Sequence, residues 1–187
     1  MTQLELEKIE TSFNIDIRSF QQQFNWSCGP SALRTVLYYQ FGIDLTDREL
    51  SLVCGSNESG TDELNFETGL KILGFKYKQN NKGRLSKLKN YLIQSKLPIV
   101  HLVMQDGVGH YMIFCGYDDN NVYLSDPIQG KIVKYGTAYF MGIWKEEEKE
   151  TQTRWFIVIT GKAKSKIAAT INKLKHIKNK INYEKLS

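Results

Sequence analysis

Gln21 to Tyr39 reads QQQFNWSCGPSALRTVLYY, a polar approach that runs through Cys28 into an apolar repeat. Gly29 lets backbone come close, and Pro30 suits a first helical turn because the N–H it lacks would be unpaired there anyway. From Ala32 onward the apolar residues Ala32, Leu33, Val36 and Leu37 follow a period near 3.6, which predicts a helix ending near Phe41-Gly42. The Cys28 thiol therefore falls at a helix N-terminus. Unpaired N–H groups and the positive end of the helix dipole favour a thiolate there. The competing account of Cys28 is a buried cysteine packed as a small hydrophobe.

Outward from this helix the first half of the chain reads as mostly helical. Residues 2–20 give no clear signal. Thr46 and Glu49 make a capping box for a short helix, Cys54 to Gly60 is a turn-rich loop, and Thr61 or Asp62 caps a helix carrying Leu64, Leu70, Ile72 and Leu73 up to Gly74. Phe75 to Lys78 reads as a strand and Leu85 to Gln94 as a helix. After Pro98 the texture changes. Ile99 to Met104, His110 to Tyr117, Val122 to Ser125 and Lys131 to Tyr135 are short apolar or alternating runs divided by Asp, Asn and Gly turns, which predicts an antiparallel meander. A polar linker, EEEKETQTR, precedes a fifth strand at Trp155 to Thr160. Helices first and tightly connected strands after them define an α+β class.

Composition bounds the function. With 187 residues, 41% hydrophobic and 24% charged, the chain suits one globular domain with an appendage. No run approaches 18 apolar residues, and the first twenty lack a basic start followed by an apolar stretch, so the expectation is a cytoplasmic protein. Cys28, Cys54 and Cys115 have neither metal-site spacing nor an even count, so reduced thiols and no metal or other cofactor are expected. The formal charge of +5 is uneven, because residues 161–187 hold eight lysines and one glutamate while residues 1–160 sit near −2. A basic tail on a nearly neutral body excludes a domain-wide nucleic-acid surface. The reading is a domain over residues 1–160 and a tail over 161–187, in which Ile167, Ile171, Leu174 and Ile181 recur at helical intervals among lysines. Such a basic amphipathic helix would dock on the body or a partner, or lie on an anionic membrane surface at the cytoplasmic face.

A cysteine nucleophile needs a base, and three histidines are available. His176 lies in the tail. His101 stands in mid-strand between apolar neighbours and reads as a satisfied sheet-face histidine. His110 opens a strand after Asp106-Gly107-Val108-Gly109, where its side chain can reach a cleft while the strand fixes its backbone. Asp126 opens the turn after the next strand, sixteen residues on, so adjacent antiparallel strands can bring it against the imidazole. Cys28, His110 and Asp126 are the parts of a nucleophilic triad, and structural roles for all three are the competing account.

These residues carry a resemblance. Gln22 stands six residues before Cys28-Gly29-Pro30, Gly109-His110-Tyr111 opens a strand, and Ser125-Asp126-Pro127 is followed by Gly130. The set, spread over about residues 18–137, resembles the papain-like peptidases that cleave double-glycine leaders from bacteriocin precursors, usually as N-terminal domains of ABC exporters. The resemblance implies a papain-like fold with the nucleophile helix packed on an antiparallel sheet. It also implies Cys28 as nucleophile, His110 as general base and acid, Asp126 as the orienting residue and Gln22 as an oxyanion donor, with Gln21 and Gln23 as the other registers. It further implies a peptide substrate cut after small residues and a transporter as partner. Ser27 departs from the acidic residue that many exporter-linked members carry. A stand-alone protease, a secreted host-directed effector, acyl transfer by the same groups, and a peptide-binding module without activity remain open.

Overall fold

The computed structural model describes residues 12–148 and 151–162. A short strand β1 (Phe13–Asn14) is followed by helices α1 (Cys28–Phe41), α2 (Asp47–Cys54) and α3 (Glu63–Leu73). Strand β2 (Phe75–Asn80) and helix α4 (Leu85–Ile93) lead into strands β3 (Ile99–Val103), β4 (Gly109–Tyr117), β5 (Asn121–Asp126) and β6 (Lys131–Gly136). Helix α5 (Thr137–Ile143), a small hairpin of β7 (Glu146–Glu148) and β8 (Thr151–Thr153), and strand β9 (Phe156–Lys162) follow.

Local chemistry accounts for the helix ends. Gly42 takes φ +64° after α1, a left-handed conformation that costs glycine nothing, and its N–H closes on Tyr38 O at 2.9 Å. The expected capping box forms at α2, where Thr46 N donates to Glu49 Oε2 at 2.7 Å and Glu49 N donates to Thr46 Oγ1 at 3.3 Å. Asp62 caps α3 by accepting from Asn65 N at 2.7 Å. Of the four apolar residues read on α3, Leu70 and Leu73 are buried and Leu64 and Ile72 are not. Phe66, Leu70 and Leu73 enter the core, whereas Leu64 is 69% and Ile72 is 48% exposed. The i, i+4, i+7 stripe that begins at Phe66 outcompetes the one through Leu64. Gly69 lies on that stripe, and a Cβ there would come within 2.5 Å of Cys54 Sγ, so its bareness lets α3 close onto α2.

The main sheet has the order β2-β9-β3-β4-β5-β6, all antiparallel, with β1 pairing on β4. The meander from β3 to β6 is the one the turns predict. The position of β9 is not, because it enters between β2 and β3 and does not extend the far edge. The reason is tertiary: Phe156, Ile157, Val158 and Ile159 are all within 1% of complete burial, which a central strand provides and an edge strand does not. Two local expectations also change. EEEKETQTR, read as a polar linker, contains both strands of the β7–β8 hairpin. Helix α5, absent from the sequence reading, buries Phe140 and Ile143, and Trp144 just beyond it donates Nε1–H to Trp155 O at 2.8 Å.

Helix α1 lies on β4. Its Ala32, Leu33, Val36 and Leu37 are 0% exposed, so the helix that begins at Cys28 is fastened by its apolar face, in contact with the strand that carries His110. Among the described residues no helix is long and apolar enough to cross a membrane. Strand β9 includes Gly161 and Lys162, and the amphipathic repeat from Ile167 to Ile181 lies outside the described residues.

Candidate active site

Cys28 is the first residue of α1, and the loop that delivers it is tied down on both sides. Ser27, fully buried, donates its hydroxyl to Asp47 Oδ2 at 3.1 Å and accepts from Phe24 N at 3.1 Å. Asp47 Oδ2 also accepts from Gln23 N at 2.9 Å. Inside the helix, Ser31 Oγ donates to Phe20 O at 3.0 Å. Asp47, on which Ser27 and Gln23 converge, was not singled out by the sequence. Its burial with one oxygen unpaired pushes its carboxyl above the usual range, despite the bonds from Gln23 and Ser27.

His110 and Asp126 meet across the sheet. His110 Nε2 lies 2.9 Å from Asp126 Oδ1, and both side chains are 4% exposed. Asp126 ends β5, and the turn beyond it completes the carboxylate's shell: Ile128 N donates to Oδ1 at 2.8 Å and Gln129 Nε2 to Oδ2 at 2.8 Å. Gln129 was not singled out by sequence, since nothing but the curl of the Asp126–Gly130 turn brings it back. The His110 side chain also interacts with Cys28, an interaction that raises the imidazole and lowers the thiol. The thiol further receives the N–H groups of Tyr111 and Gly29. Ser125 is joined by its hydroxyl to that of Ser19, which braces β5 against the incoming chain.

Protonation follows from these contacts. Burial pushes the Cys28 thiol up, but the His110 hydrogen bond, the Tyr111 N–H, the His110 charge and the Gly29 N–H outweigh it, and the net displacement is downward. Burial pulls His110 down, yet Asp126 and Cys28 together raise it to about 9. Burial raises Asp126, and His110, Gln129 and the Ile128 N–H bring it below the ordinary carboxylate range. The arrangement favours a thiolate, an imidazolium and a carboxylate. The other two thiols differ sharply, since burial pushes both Cys54 and Cys115 up to about 12.

Cys28 opens into a cleft of about 400 Å³. Asn25 and Trp26 border it on the approach side, and Glu58 to Asp62, His101, Gly109 and Tyr111 form the far wall. The loop after α2, legible in sequence only as a turn, thus folds over the thiol. Thr61 pins it: Tyr111 OH donates to Thr61 O at 3.0 Å, and a Cβ on Gly29 would lie 2.8 Å from Thr61 Oγ1. His101 has Nδ1 3.3 Å from Glu63 Oε1 and stacks on Tyr111. His176 lies outside the described residues.

The three glutamines part company. Gln21 is exposed and donates Nε2–H to Ile128 O at 3.1 Å, and Gln23 is exposed with its backbone on Asp47. Gln22 is half-buried and its backbone N–H donates to Pro127 O at 2.8 Å, next to Asp126. Its Nε2 donates to Phe24 O at 2.9 Å, while its Oε1 is buried without a partner among the described residues. No group of three or more His, Cys, Asp or Glu among the described residues is placed to hold a metal ion.

An α+β chain with a half-buried thiol at a helix N-terminus, beside a sheet histidine, has the design of the papain-like cysteine peptidases. Solved structures share the fold. The peptidase domain of Streptococcus ComA, a bi-functional ABC transporter of a quorum-sensing pathway, superposes with a TM-score of 0.62 at 22% identity, covering 75% of this chain and 96% of that one. A C39-like peptidase from Bacillus anthracis gives 0.60 at 17% identity, covering 82% and 99%. A double-glycine-motif protease from an AMS/PCAT transporter, solved with its leader peptide, gives 0.58 at 17% identity, covering 80% and 94%. An uncharacterized protein of Methanothermobacter thermautotrophicus is 30% identical over 134 residues, 69% of this chain and 84% of the relative. The sequence model of the Peptidase C39 family matches residues 16–148, and the chain belongs to that family. It is a cysteine peptidase.

Proposed function

We propose that this peptidase cuts a peptide bond after small residues, of the double-glycine leader type, with Cys28, His110 and Asp126 as its triad and Gln22 as oxyanion donor. The observation that carries the proposal is the continuous hydrogen-bonded line from the Cys28 thiol through His110 to Asp126, with His110 raised to about 9. The thiolate attacks the scissile carbonyl carbon, and the imidazolium gives its proton to the leaving amine as the C–N bond breaks. The now neutral imidazole takes a proton from water, whose oxygen attacks the thioester. Thiolate leaves and the imidazolium is restored. The substrate class is supported by glycines in the cleft wall, since Gly60 and Gly109 line it beside Cys28 and leave backbone exposed to an extended peptide. The transporter protease solved with a leader peptide lends analogy to the same choice.

Cysteine mapping tests the nucleophile. With iodoacetamide at pH 7, Cys28 is expected to alkylate quickly and alone, because Cys54 and Cys115 are buried and held as thiols. Equal labelling of the three by mass spectrometry would remove the basis for an activated Cys28. The oxyanion role is tested by three variants. Gln22→Ala is expected to lower turnover of a Gly-Gly peptide about 10²-fold, the usual loss for one oxyanion donor, while Gln21→Ala and Gln23→Ala stay near the parent rate. Three similar rates would sink the Gln22 assignment.

A further inference from the structure

His101 takes no part in the line from Cys28 to Asp126, yet it faces the same cleft. Its side chain is 18% exposed, its Nδ1 lies 3.3 Å from Glu63 Oε1, and its ring stacks on Tyr111 with centroids 4.6 Å apart. Tyr111 in turn lends its N–H to the Cys28 thiol, so the imidazole sits one residue away from the reacting sulfur. The second ring nitrogen, Nε2, has no hydrogen-bond partner among the described residues. It lies against Gly109, which also lines the cleft and where a Cβ would be 2.5 Å from it. Any side chain at that position would push the imidazole aside, so Gly109 reserves the space that Nε2 occupies.

A carboxylate only accepts hydrogen bonds. Glu63 therefore keeps the proton of the neutral ring on Nδ1 and leaves Nε2 as a lone-pair acceptor on a residue that lines the cleft. A substrate segment made of glycines offers a site nothing but backbone N–H and C=O groups. A fixed acceptor on the wall of the cleft that Cys28 lines is suited to read one of those N–H groups.

We propose that His101 is a substrate-binding residue whose Nε2 accepts a backbone N–H of the peptide flanking the scissile bond, with Glu63 setting the tautomer and Gly109 the clearance. It rests on the peptidase reading above and adds a recognition contact to it.

The test compares covalent labelling of Cys28 by acetyl-Gly-Gly-chloromethyl ketone, by its two singly N-methylated forms and by iodoacetamide, at pH 8 with mass-spectrometric rates. His101→Phe keeps a stacked ring and removes the acceptor. It is expected to slow labelling by the glycyl reagent about tenfold, as for one lost hydrogen bond, and to leave the iodoacetamide rate within about twofold of the parent. In the parent, one N-methyl form is expected to lose a similar factor, and in His101→Phe that penalty should vanish. Equal slowing with glycyl reagent and iodoacetamide, no slowing with either, or an N-methyl penalty that persists in the variant overturns the proposal. The wild-type protein supplies a reading free of mutation: the ¹⁵N resonance of His101 Nε2 should move in the glycyl adduct and not in the adduct of the penalised N-methyl form. The same movement in both adducts also overturns it. An acetyl-Leu-Leu reagent that labels Cys28 as fast as the glycyl one defeats the small-residue reading separately, and the His101 contrast is then decided on whichever reagent reacts.

Discussion

Replacing Cys28 by alanine is expected to abolish turnover of a Gly-Gly peptide, a loss of about 10⁴-fold or more, because without the sulfur there is no acyl-enzyme route and the remaining groups only position water. The fold should survive. Cys28 is the first residue of its helix and lines a cleft, so truncation opens no cavity in the core beneath α1, where Leu33, Val36 and Leu37 do the packing. A thermal or urea transition close to the parent, together with rates followed by chromatography of the cleaved peptide, separates chemistry from folding. Turnover in Cys28→Ala within tenfold of the parent would place the nucleophile elsewhere.

The second large effect is at Asp126, where the structure divides orientation from charge. Asp126→Ala removes the acceptor that holds His110 and is expected to lower turnover about 10²- to 10⁴-fold, the range of general acid–base assistance. Asp126→Asn should be milder. In the native site Oδ1 accepts from both His110 Nε2 and Ile128 N, at 2.9 and 2.8 Å, so an amide oxygen is drawn to that same spot and the histidine tautomer is kept. Gln129 can turn its amide to meet the new NH₂. What the amide loses is charge.

The pH profile reads that charge directly. His110 is raised to about 9, so its proton is held through neutral pH, and the active ion pair is lost as pH climbs through about 9. The same group stabilises the fold below the ordinary imidazole range and ceases to do so above about 9. Asp126 is displaced downward, so its contribution is present at neutral pH and fades as acid is added, whereas that of Cys28, also displaced downward, is complete only above the ordinary thiol range and fades as pH falls below it. Asp126→Asn should therefore move the alkaline limit of activity to lower pH, since an imidazolium without its carboxylate gives up its proton sooner. An unchanged alkaline limit would show that Asp126 does not bear on the charge of His110.

Much of this was legible in the residues, because it depends on local chemistry. The period after Pro30, the Thr46–Glu49 box, the Asp62 cap and the closing glycines Gly42 and Gly74 define helix ends without help from the rest of the chain. The Asp and Gly turns after Pro98 do the same for the meander. Adjacent antiparallel strands then suffice to set Asp126 near His110, because register across a short turn is nearly fixed. What the sequence could not contain was anything decided by which surfaces meet. The pattern WFIVIT gives a strand but no neighbour, and only the burial of both its faces puts β9 inside the sheet. The loop from Glu58 to Asp62 carries no signal for folding over a thiol. Its place comes from Thr61 against Gly29 and Tyr111. The partners of the strand histidine His101, Glu63 and Tyr111, are distant from it in sequence and come together only in the tertiary structure. The local elements followed from propensity and capping, whereas the shape and polarity of the cleft were left to long-range packing, where no residue's environment can be read from its neighbours in the chain.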